Sequence, residues 1–429
     1  MWERYRGKHI LITGDSGFLG TTLVYRLLDK TSVAHLYLVC RKGISNLREV
    51  WVQWLPELIV RKMLNPERVT VLTGDILKLN LGLSGSELDI LRDKINIVVH
   101  GASSINLVHP LYRLSQSITG ASERLTNLAL QFAKLERFVY VSSAYANTHL
   151  YHATPSGDVL VEESIHPLSD EASNTQLEWN EVQKKGSRAE FRSHNFPWAY
   201  GYAKHLTERL LFDKFAQENF SDTLFILRPS IIDPAQSYLY PGFSFPLSTP
   251  MHIFTAAACL TSLFSAGVAT RHENPEKEAT NDVVPVDVVV DRLLAHLAAQ
   301  TLEPVHAVSG ARARRELGVV WRKKLHPIAR LYKIMGTSIL FSENKTVTLM
   351  EHCCDEELWD LELFTKPVSL LQGHSLLKHH VWYCMDWMRK KRFFARFAMK
   401  LLYRKYKVKE PRKEILKRCS CSCPEVKVQ

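Results

Sequence analysis

The chain has 429 residues, of which 46% are hydrophobic and 23% are charged, the proportions of an ordinary globular protein. This length allows two domains, because one domain usually takes about 100–200 residues. The formal net charge is +11, but residues 389–418 alone contain fourteen Lys/Arg against two Asp/Glu, so the rest of the chain is nearly neutral. This distribution argues against a nucleic-acid-binding body and predicts a basic tail with a partner of its own.

The first 230 residues alternate between short apolar runs and helical patterns. The predicted strands are His9–Thr13, Ala34–Cys40, Val69–Thr73, Ile95–His100, Phe138–Ser142 and Leu224–Leu227. The helices predicted between them include Phe18–Asp29, Ser115–Lys134 and Tyr200–Asn219. Strands that alternate with helices predict βαβ units, and near-continuous apolar strands indicate burial on both faces. We therefore expect an α/β fold with a doubly wound parallel sheet of the Rossmann type.

A glycine-rich turn follows the first predicted strand and opens the first predicted helix. Gly14, Gly17 and Gly20 permit a tight turn and let a phosphate approach the backbone. The free amides of the helix N-terminus offer donors to a pyrophosphate. The turn therefore predicts a dinucleotide site, with an ordinary glycine-rich turn as the alternative. Its predicted cofactor-binding residues are Thr13, Gly14, Ser16, Gly17, Phe18, Leu19 and Gly20.

The end of the second strand indicates which dinucleotide is bound. NAD-preferring sites place a carboxylate there for the ribose 2′-hydroxyl, whereas this chain has Arg41 and Lys42. Two cations suit a 2′-phosphate and predict NADPH, with a solvated basic pair as the alternative. After the third strand, Asp75 is the predicted acceptor for the adenine amine, and Ile76 follows it. After the fourth strand, the small residues Gly101 and Ala102 leave room for the cofactor.

Tyr200 and Lys204 are four residues apart and share one face of a predicted helix. An ammonium group and a nicotinamide ribose beside the phenol would lower its pKa, which makes the tyrosine a proton donor near neutral pH. Ser143, just past the fifth strand, is the predicted hydroxyl for a substrate carbonyl oxygen, with Ser142 as the weaker candidate. Tyr202 is expected to face elsewhere. A surface helix pair is the alternative, but the dinucleotide turn upstream favours catalysis.

Further short segments follow in a fixed order along residues 7–300. They are TGDSGFLG at 13–20, LYLVCRK at 36–42, GDI at 74–76 with LGLS at 81–84, HGASS at 100–104, VSSAYAN at 141–147, RPSII at 228–232, PGF at 241–243 and DVVPVD at 282–287. In these segments the chain resembles the extended short-chain dehydrogenase/reductases and, within them, the fatty acyl-coenzyme A reductases and related thioester reductases.

This resemblance implies reduction of long-chain acyl-CoA with NADPH, in many members through a bound aldehyde to the alcohol. It implies that Ser143 polarises the carbonyl, that Tyr200 donates the proton, and that Lys204 binds the ribose and tunes the phenol. It also implies that Pro229 and Ser230 lie beside the nicotinamide.

The chain departs from the family pattern at two positions near these sites. Asp15 stands in the glycine-rich turn, where a small or neutral residue is usual, and a carboxylate near the pyrophosphate is unfavourable unless it points away. Ser117 stands where extended members often have Asn, which would alter the proton relay or its water.

We predict three regions along the chain. They are an NADPH-binding reductase domain at 1–300, a smaller, mostly helical C-terminal domain at 304–388, and the basic tail at 389–429. Within the first, the polar residues 151–197 are predicted to be an insertion or lid, and 234–280 a substrate-side segment. The uncharged stretch Met251–Val268 in that segment predicts a buried or substrate-lining helix, with membrane contact as the alternative.

The tail places an apolar stripe among its cations. The stripe consists of Phe393, Phe394, Phe397, Leu401 and Leu402. This pattern is typical of a helix that lies on an anionic membrane surface, and the cysteines at 419, 421 and 423 are suited to S-palmitoylation. We expect peripheral membrane contact through 389–423. Packing of the tail on the body, a solvated tail and weak RNA binding are the alternatives.

Together these features predict an NADPH-dependent fatty acyl-CoA reductase that forms the alcohol through a bound aldehyde. We expect an intracellular protein on the cytosolic face of the endoplasmic reticulum or peroxisome, since the N-terminus lacks an apolar core of the signal-peptide type. No metal site and no nucleic-acid partner are expected, and the oligomeric state is open. The alternatives are a superfamily dehydrogenase for a sterol or sugar nucleotide, and a non-catalytic dinucleotide-binding protein, which Asp15 and Ser117 keep open.

Overall fold

A seven-stranded parallel sheet forms the centre of the computed structural model, which describes residues 1–107, 109–153, 159–168, 174–194, 196–245, 248–249, 280–310, 315–316, 339–352, 358 and 360–366. The strands are β1 (His9–Thr13), β2 (His35–Cys40), β3 (Val69–Thr73), β4 (Ile97–His100), β5 (Arg137–Val141), β6 (Val159–Val161), β7 (Leu224–Pro229), β8 (Ile231–Asp233), β9 (Thr280–Asn281), β10 (Val283–Pro285), β11 (Val305–Ala307), β12 (Arg315–Glu316) and β13 (Ile339–Phe341). The central sheet has the order β11-β7-β5-β4-β1-β2-β3. The predicted doubly wound α/β fold is therefore confirmed, with the strand order reversing between β1 and β4.

Helices alternate with these strands, and several begin or end at recognisable signals. They are α1 (Phe18–Lys30), α2 (Gly43–Val52), α3 (Glu57–Met63), α4 (Gly85–Lys94), α5 (Leu111–Ser115), α6 (Ala121–Ala129), α7 (His149–Ala153), α8 (Thr175–Lys185), α9 (Ala189–Ser193), α10 (Ala199–Gln217), α11 (Val286–Ala298) and α12 (Asn344–His352). The capping box of Ser84 with Glu87 begins α4. Asn174 caps the start of α8, which ends at Gly186 in the left-handed conformation.

Apolar side chains cover both faces of the central sheet. One core joins the sheet to α1 and α11, for example through Leu23 and Leu293. The other joins it to α4, α6 and α10, for example through Leu88, Leu125 and Phe215. Because all strands of the central sheet are parallel, the segments that follow β1, β2, β4 and β5 meet at one edge, where doubly wound folds bind their ligands.

The described residues after 300 pack on the same unit. β11 extends the central sheet beside β7, and β13 pairs in parallel with β6. The buried Arg292 on α11 binds Glu343 at 2.6 Å and donates to the carbonyl of Leu363 at 2.7 Å. Most of the helical domain predicted at 304–388 lies outside the described residues, so the division of the chain into domains stays a prediction.

Helix α8, within the predicted insertion 151–197, is anchored to α10 by buried polar contacts. Glu178 accepts two hydrogen bonds of 2.8 Å from Arg209, and the hydroxyl of Tyr202 donates to it at 2.6 Å. Trp179, the next residue on α8, is fully buried. These contacts fix α8 in place, whereas a lid function for the insertion as a whole stays a prediction.

One predicted helix has the wrong bounds. The stretch predicted as Ser115–Lys134 is preceded by α5, passes through a π-helical turn at Gln116–Gly120, and ends with α6 at Ala129. After Ala129 the chain turns so that Phe132 enters the core under the sheet. The helix therefore ends five residues before the predicted Lys134.

The predictions for two segments fall on residues that are not described. Met251–Val268 is predicted to be a buried or substrate-lining helix, with membrane contact as the alternative, and the basic tail 389–429 is predicted to contact a membrane. Both segments lie outside the described residues. Within the described part of the chain, no helix is long and apolar enough to span a bilayer.

Candidate active site at the carboxyl ends of the parallel strands

The glycine-rich turn between β1 and α1 fits a dinucleotide phosphate. Gly14 has a φ of +84°, and a Cβ there would lie 2.7 Å from the amide nitrogen of Ala102. A Cβ on Gly20 would lie 2.1 Å from the carbonyl oxygen of Gly14. Gly17 precedes α1 without a side-chain cap, so the first amides of the helix keep their donor capacity for an anion. The turn is thus shaped by missing side chains, as the sequence pattern predicts.

Replacing Gly20 by Ala is expected to lower the free energy of unfolding by at least about 1–3 kcal/mol. If the variant stays folded with a distorted turn, it is expected to lose dinucleotide binding. The added methyl group would meet backbone atoms of Gly14, which cannot move aside as a flexible side chain can. Calorimetric titration with NADPH and thermal unfolding measure the two effects.

Gly85→Ala is the matched control, because a Cβ at the first position of α4 meets nothing within 4 Å. This variant should bind the dinucleotide normally and be as stable as the wild type or slightly more so. Normal NADPH affinity and normal stability in Gly20→Ala would contradict the tight turn.

The remaining predicted residues of the turn support its shape. Thr13 binds the ring of His100 through its hydroxyl at 2.8 Å and ties β1 to β4. Its backbone carbonyl accepts from Gly101 at 3.1 Å. Phe18 packs against Phe243 and Phe245, and Ser16 and Leu19 are half-buried in the turn and at the start of α1.

The residues predicted to bind the adenosine end follow β2 and β3. Arg41 and Lys42 are exposed, and neither forms an ion pair with a described residue. Asp75 uses one carboxylate oxygen to accept from the amide of Leu77 at 3.0 Å, which fixes the turn after β3. Ile76 is half-buried beside it. Both cations are thus available to an anionic ligand at the end of β2.

Ser143, Tyr200 and Lys204 come together at the carboxyl end of β5. Burial raises the pKa of the Tyr200 phenol to about 12, and an interaction with Ser143 lowers it in part. The Ser143 oxygen in turn accepts from the amide of Tyr145 at 3.2 Å. The serine and the phenol therefore lie close enough to interact at the end of the strand.

Lys204 lies beneath this pair and is almost fully buried. Its ammonium group donates to the carbonyl of Val141 at 2.8 Å, and Nζ lies 6.0 Å from the centre of the Tyr200 ring. Burial lowers the pKa of Lys204 to about 7, against a smaller raising effect of Glu208. The sequence predicts a lowered phenol pKa, but in the protein alone burial raises it, because a buried phenolate loses the solvation that would stabilise its charge.

Glu208 is a residue that sequence reasoning missed. It lies one helical turn after Lys204 on α10 and is buried in a two-pronged ion pair with Arg228. The Lys204–Glu208 spacing of four residues was a signal that could have identified it. Tyr202, by contrast, faces Glu178, away from Tyr200, as predicted.

The other predicted residues lie beside this arrangement. Pro229 ends β7, and the hydroxyl of Ser230 donates to the half-buried Asp282 at 2.5 Å. Ser117 lies in the π-helical turn and donates to the carbonyls of Arg113 and Leu114. Ser142 is buried, and its hydroxyl has no partner among the described residues.

Comparison with known families gives this geometry a context. A model of the male sterility protein family, a family of NAD-binding domains, matches residues 12–293. The chain belongs to this family. Its resemblance to the fatty acyl-CoA reductases among the extended short-chain dehydrogenase/reductases is also confirmed, and a nicotinamide dinucleotide is the cofactor that the NAD-binding family and the glycine turn support.

Individual relatives are fatty acyl-CoA reductases by name. The chain is 28% identical over 302 residues to fatty acyl-CoA reductase 1 of Gallus gallus, covering 68% of this chain and 55% of that protein. It is 29% identical over 306 residues to fatty acyl-CoA reductase 2 of Homo sapiens, covering 68% and 54%. The chain thus spans little more than half the length of these relatives.

Solved structures of low sequence identity share the fold. The terminal R domain of the myxalamid PKS-NRPS pathway has a TM-score of 0.57 at 15% identity, covering 89% of this chain and 90% of that one. The R domain of a non-ribosomal peptide synthetase from Mycobacterium tuberculosis has a TM-score of 0.52 at 17% identity, covering 92% and 79%. At such identities the likeness concerns the fold alone.

Proposed function

We propose that this protein reduces the thioester of a long-chain fatty acyl-CoA with NADPH and forms the alcohol through a bound aldehyde. We place this activity at the cytosolic surface of a membrane, to which residues 389–423 would attach the chain. The observation that carries the proposal is that Ser143, Tyr200 and the buried Lys204 lie together at the carboxyl end of β5, in a fold whose glycine turn is suited to a dinucleotide. Membership in a family with fatty acyl-CoA reductases supports the substrate.

The residues of the site have distinct roles in this proposal. Two NADPH molecules, bound in turn, would each supply one hydride: the first for the thioester carbonyl, from which the CoA thiolate leaves, and the second for the aldehyde. Tyr200 carries its proton at neutral pH, since burial raises its pKa to about 12, so it can donate to a carbonyl oxygen that gains negative charge. Ser143 donates a second hydrogen bond to the same oxygen. Lys204, when protonated, offsets the negative charge that remains on Tyr200 after the proton has left.

The experiment that tests this function is incubation of the full chain with NADPH and a panel of acyl-CoA esters, with the products identified by mass spectrometry. Fatty alcohol, or aldehyde with released CoA, is the expected result. Oxidation of a sterol or sugar nucleotide with NADP⁺, together with no acyl-CoA turnover, would favour the alternative dehydrogenase. Tight NADPH binding with no turnover of any thioester would favour a non-catalytic protein.

NADPH is preferred in this proposal because Arg41 and Lys42 stand at the end of β2 without ion-pair partners among the described residues. Replacing both by Ala is expected to weaken NADPH binding about 10- to 100-fold, since a charge-assisted hydrogen bond contributes about 1.5–3 kcal/mol. Binding of NADH, which lacks the 2′-phosphate, should change much less. Titration of the protein with each dinucleotide at constant ionic strength measures both affinities.

A double replacement of Lys184 and Lys185 by Ala is the matched control. These neighbouring lysines lie in the last turn of α8, on the surface, and their removal changes the net charge by the same amount. It should leave both affinities unchanged. Equal losses for NADH and NADPH in the Arg41/Lys42 variant would contradict a 2′-phosphate site.

A further inference from the structure

Asp15 is a buried acid inside the glycine-rich turn. Its side chain is 1% exposed, and neither carboxylate oxygen has a hydrogen-bond partner in the described part of the structure. The backbone of Asp15 is fixed from two sides. Its carbonyl accepts from the Thr21 hydroxyl at 3.1 Å, and a Cβ on Gly20 would lie 2.9 Å from its Cα. The backbone that carries the buried carboxyl group is therefore held in place at the start of α1.

No described cation compensates this acid. The titratable group that faces it is the thiol of Cys40 at the end of β2, which is buried and neutral. Ala102, on the segment after β4, contributes no charge, and α1 contributes the Thr21 hydroxyl only to the backbone of Asp15. Burial raises the pKa of Asp15 to about 7, against a smaller lowering effect of its own backbone amide.

A dinucleotide brings negative charge to this turn. Its pyrophosphate is held by the glycine turn and the N-terminus of the following helix in folds of this kind. Two anions close together in a poorly solvated place repel each other strongly, and the repulsion raises the pKa of the weaker acid. Of the two groups only the carboxyl can take up a proton near neutral pH.

We propose that Asp15 is a proton-linked determinant of dinucleotide affinity: the protein binds the nicotinamide dinucleotide with Asp15 protonated, taking the proton from solvent when the carboxylate was charged beforehand. The proposal rests on dinucleotide binding, which the family supports, and not on acyl-CoA reduction. The proposal gives this departure from the family pattern a function. A protein with an uncharged residue at position 15 would bind the cofactor without taking up a proton at that position.

The sign of the resulting pH dependence follows from linkage. Below pH 7 most of the Asp15 side chains already carry the proton, so affinity does not depend on this residue. Above pH 7 binding must protonate a carboxylate, and affinity falls about tenfold for each further pH unit. At pH 8 the wild type should thus bind the dinucleotide about tenfold more weakly than a variant with a neutral residue at position 15.

Two other groups titrate near the same pH and must be separated from Asp15. The pKa of Lys204 is lowered to about 7, and an anionic ligand would favour its protonated form too. The 2′-phosphate of NADPH has a pKa of about 6, but NADH lacks this group. Comparison of variants and of the two ligands isolates the contribution of Asp15.

The experiment is calorimetric titration of the full chain with NADPH and with NADH at pH 6 and pH 8, in buffers of different ionisation enthalpy. At pH 8 the wild type should take up nearly one proton more than Asp15→Asn for either ligand, and Asp15→Asn should bind about tenfold more tightly. At pH 6 the two proteins should bind alike. The same difference should appear when both carry Lys204→Met.

Asp15→Ala provides a second neutral variant should the amide disturb the turn, and thermal unfolding shows whether each variant is folded. Asp89→Asn, which changes an exposed carboxylate on α4, should behave as the wild type.

Equal proton uptake in the wild type and both Asp15 variants would overturn the proposal. So would weaker binding by the neutral variants at pH 8, because the carboxylate would then be a ligand in its charged form. Absence of binding at pH 6 in every protein would instead contradict dinucleotide binding itself, and this proposal with it.

Discussion

Tyr200→Phe is expected to lower kcat by about 10²–10⁴-fold, the usual contribution of a positioned general acid, while NADPH binds with unchanged affinity. The phenol is the group at the end of β5 that holds a proton at neutral pH and lies within hydrogen-bonding reach of Ser143. Removing its oxygen leaves the glycine turn intact and takes away the proton donor. Single-turnover oxidation of NADPH measures the chemical step, and a separate titration measures the affinity.

Tyr202→Phe is the matched control on the same helix. Its hydroxyl donates to Glu178 at 2.6 Å, within the contact between α8 and α10. Loss of that hydrogen bond should lower the free energy of unfolding by about 1–3 kcal/mol, because a charged acceptor is left with one donor fewer, and kcat should stay near the wild-type value. Unchanged turnover in Tyr200→Phe, or equal losses of turnover in the two variants, would remove Tyr200 from the mechanism.

Much of this architecture can be predicted from the sequence. Apolar runs gave β1 and β3 with their observed bounds, and the glycine spacing gave the turn before α1. These features are local: a strand buried on both faces needs an apolar run, and a phosphate turn needs glycine. The four-residue spacing of Tyr200 and Lys204 likewise places both on one face of α10, because the helical repeat leaves little choice.

The electrostatics of the site could not be predicted in the same way. The sequence suggests that Lys204 is a cation and that Tyr200 has a lowered pKa, but both pKa values move in the opposite sense to that expectation because α10 is buried under the sheet. The surroundings of the π-helical turn at Gln116–Gly120 are also set by a long-range contact. A Cβ at Gly120 would lie 3.3 Å from Trp179, a residue 59 positions away in a segment without clear periodicity. Burial and long-range contacts are properties of the fold, which a local pattern does not contain.

The buried pair of Arg228 and Glu208 links this core to the site, and breaking it is the second large effect we expect. Arg228→Met should lower the free energy of unfolding by about 3–5 kcal/mol, measured by urea denaturation, because Glu208 would stay buried with no countercharge from Arg228. The pair has two hydrogen bonds, of 3.0 and 2.6 Å, and both side chains are at most 1% exposed. The charge of Glu208 already raises the pKa of Lys204. Without Arg228 that effect should grow, so the pH profile of turnover should move to higher pH.

Two further variants separate this burial effect from the loss of any ion pair. Arg48→Met removes the partner of Glu57 on the surface, where both side chains are about half exposed, and should cost less than about 1 kcal/mol. Arg228→Met combined with Glu208→Gln removes the buried charge as well and should recover part of the lost stability. If Arg228→Met were no more destabilising than Arg48→Met, the pair would not hold the core beneath Lys204. A loss of stability without a shifted pH profile would leave Arg228 a structural role only, because the pH profile reports on Lys204 and the unfolding curve does not.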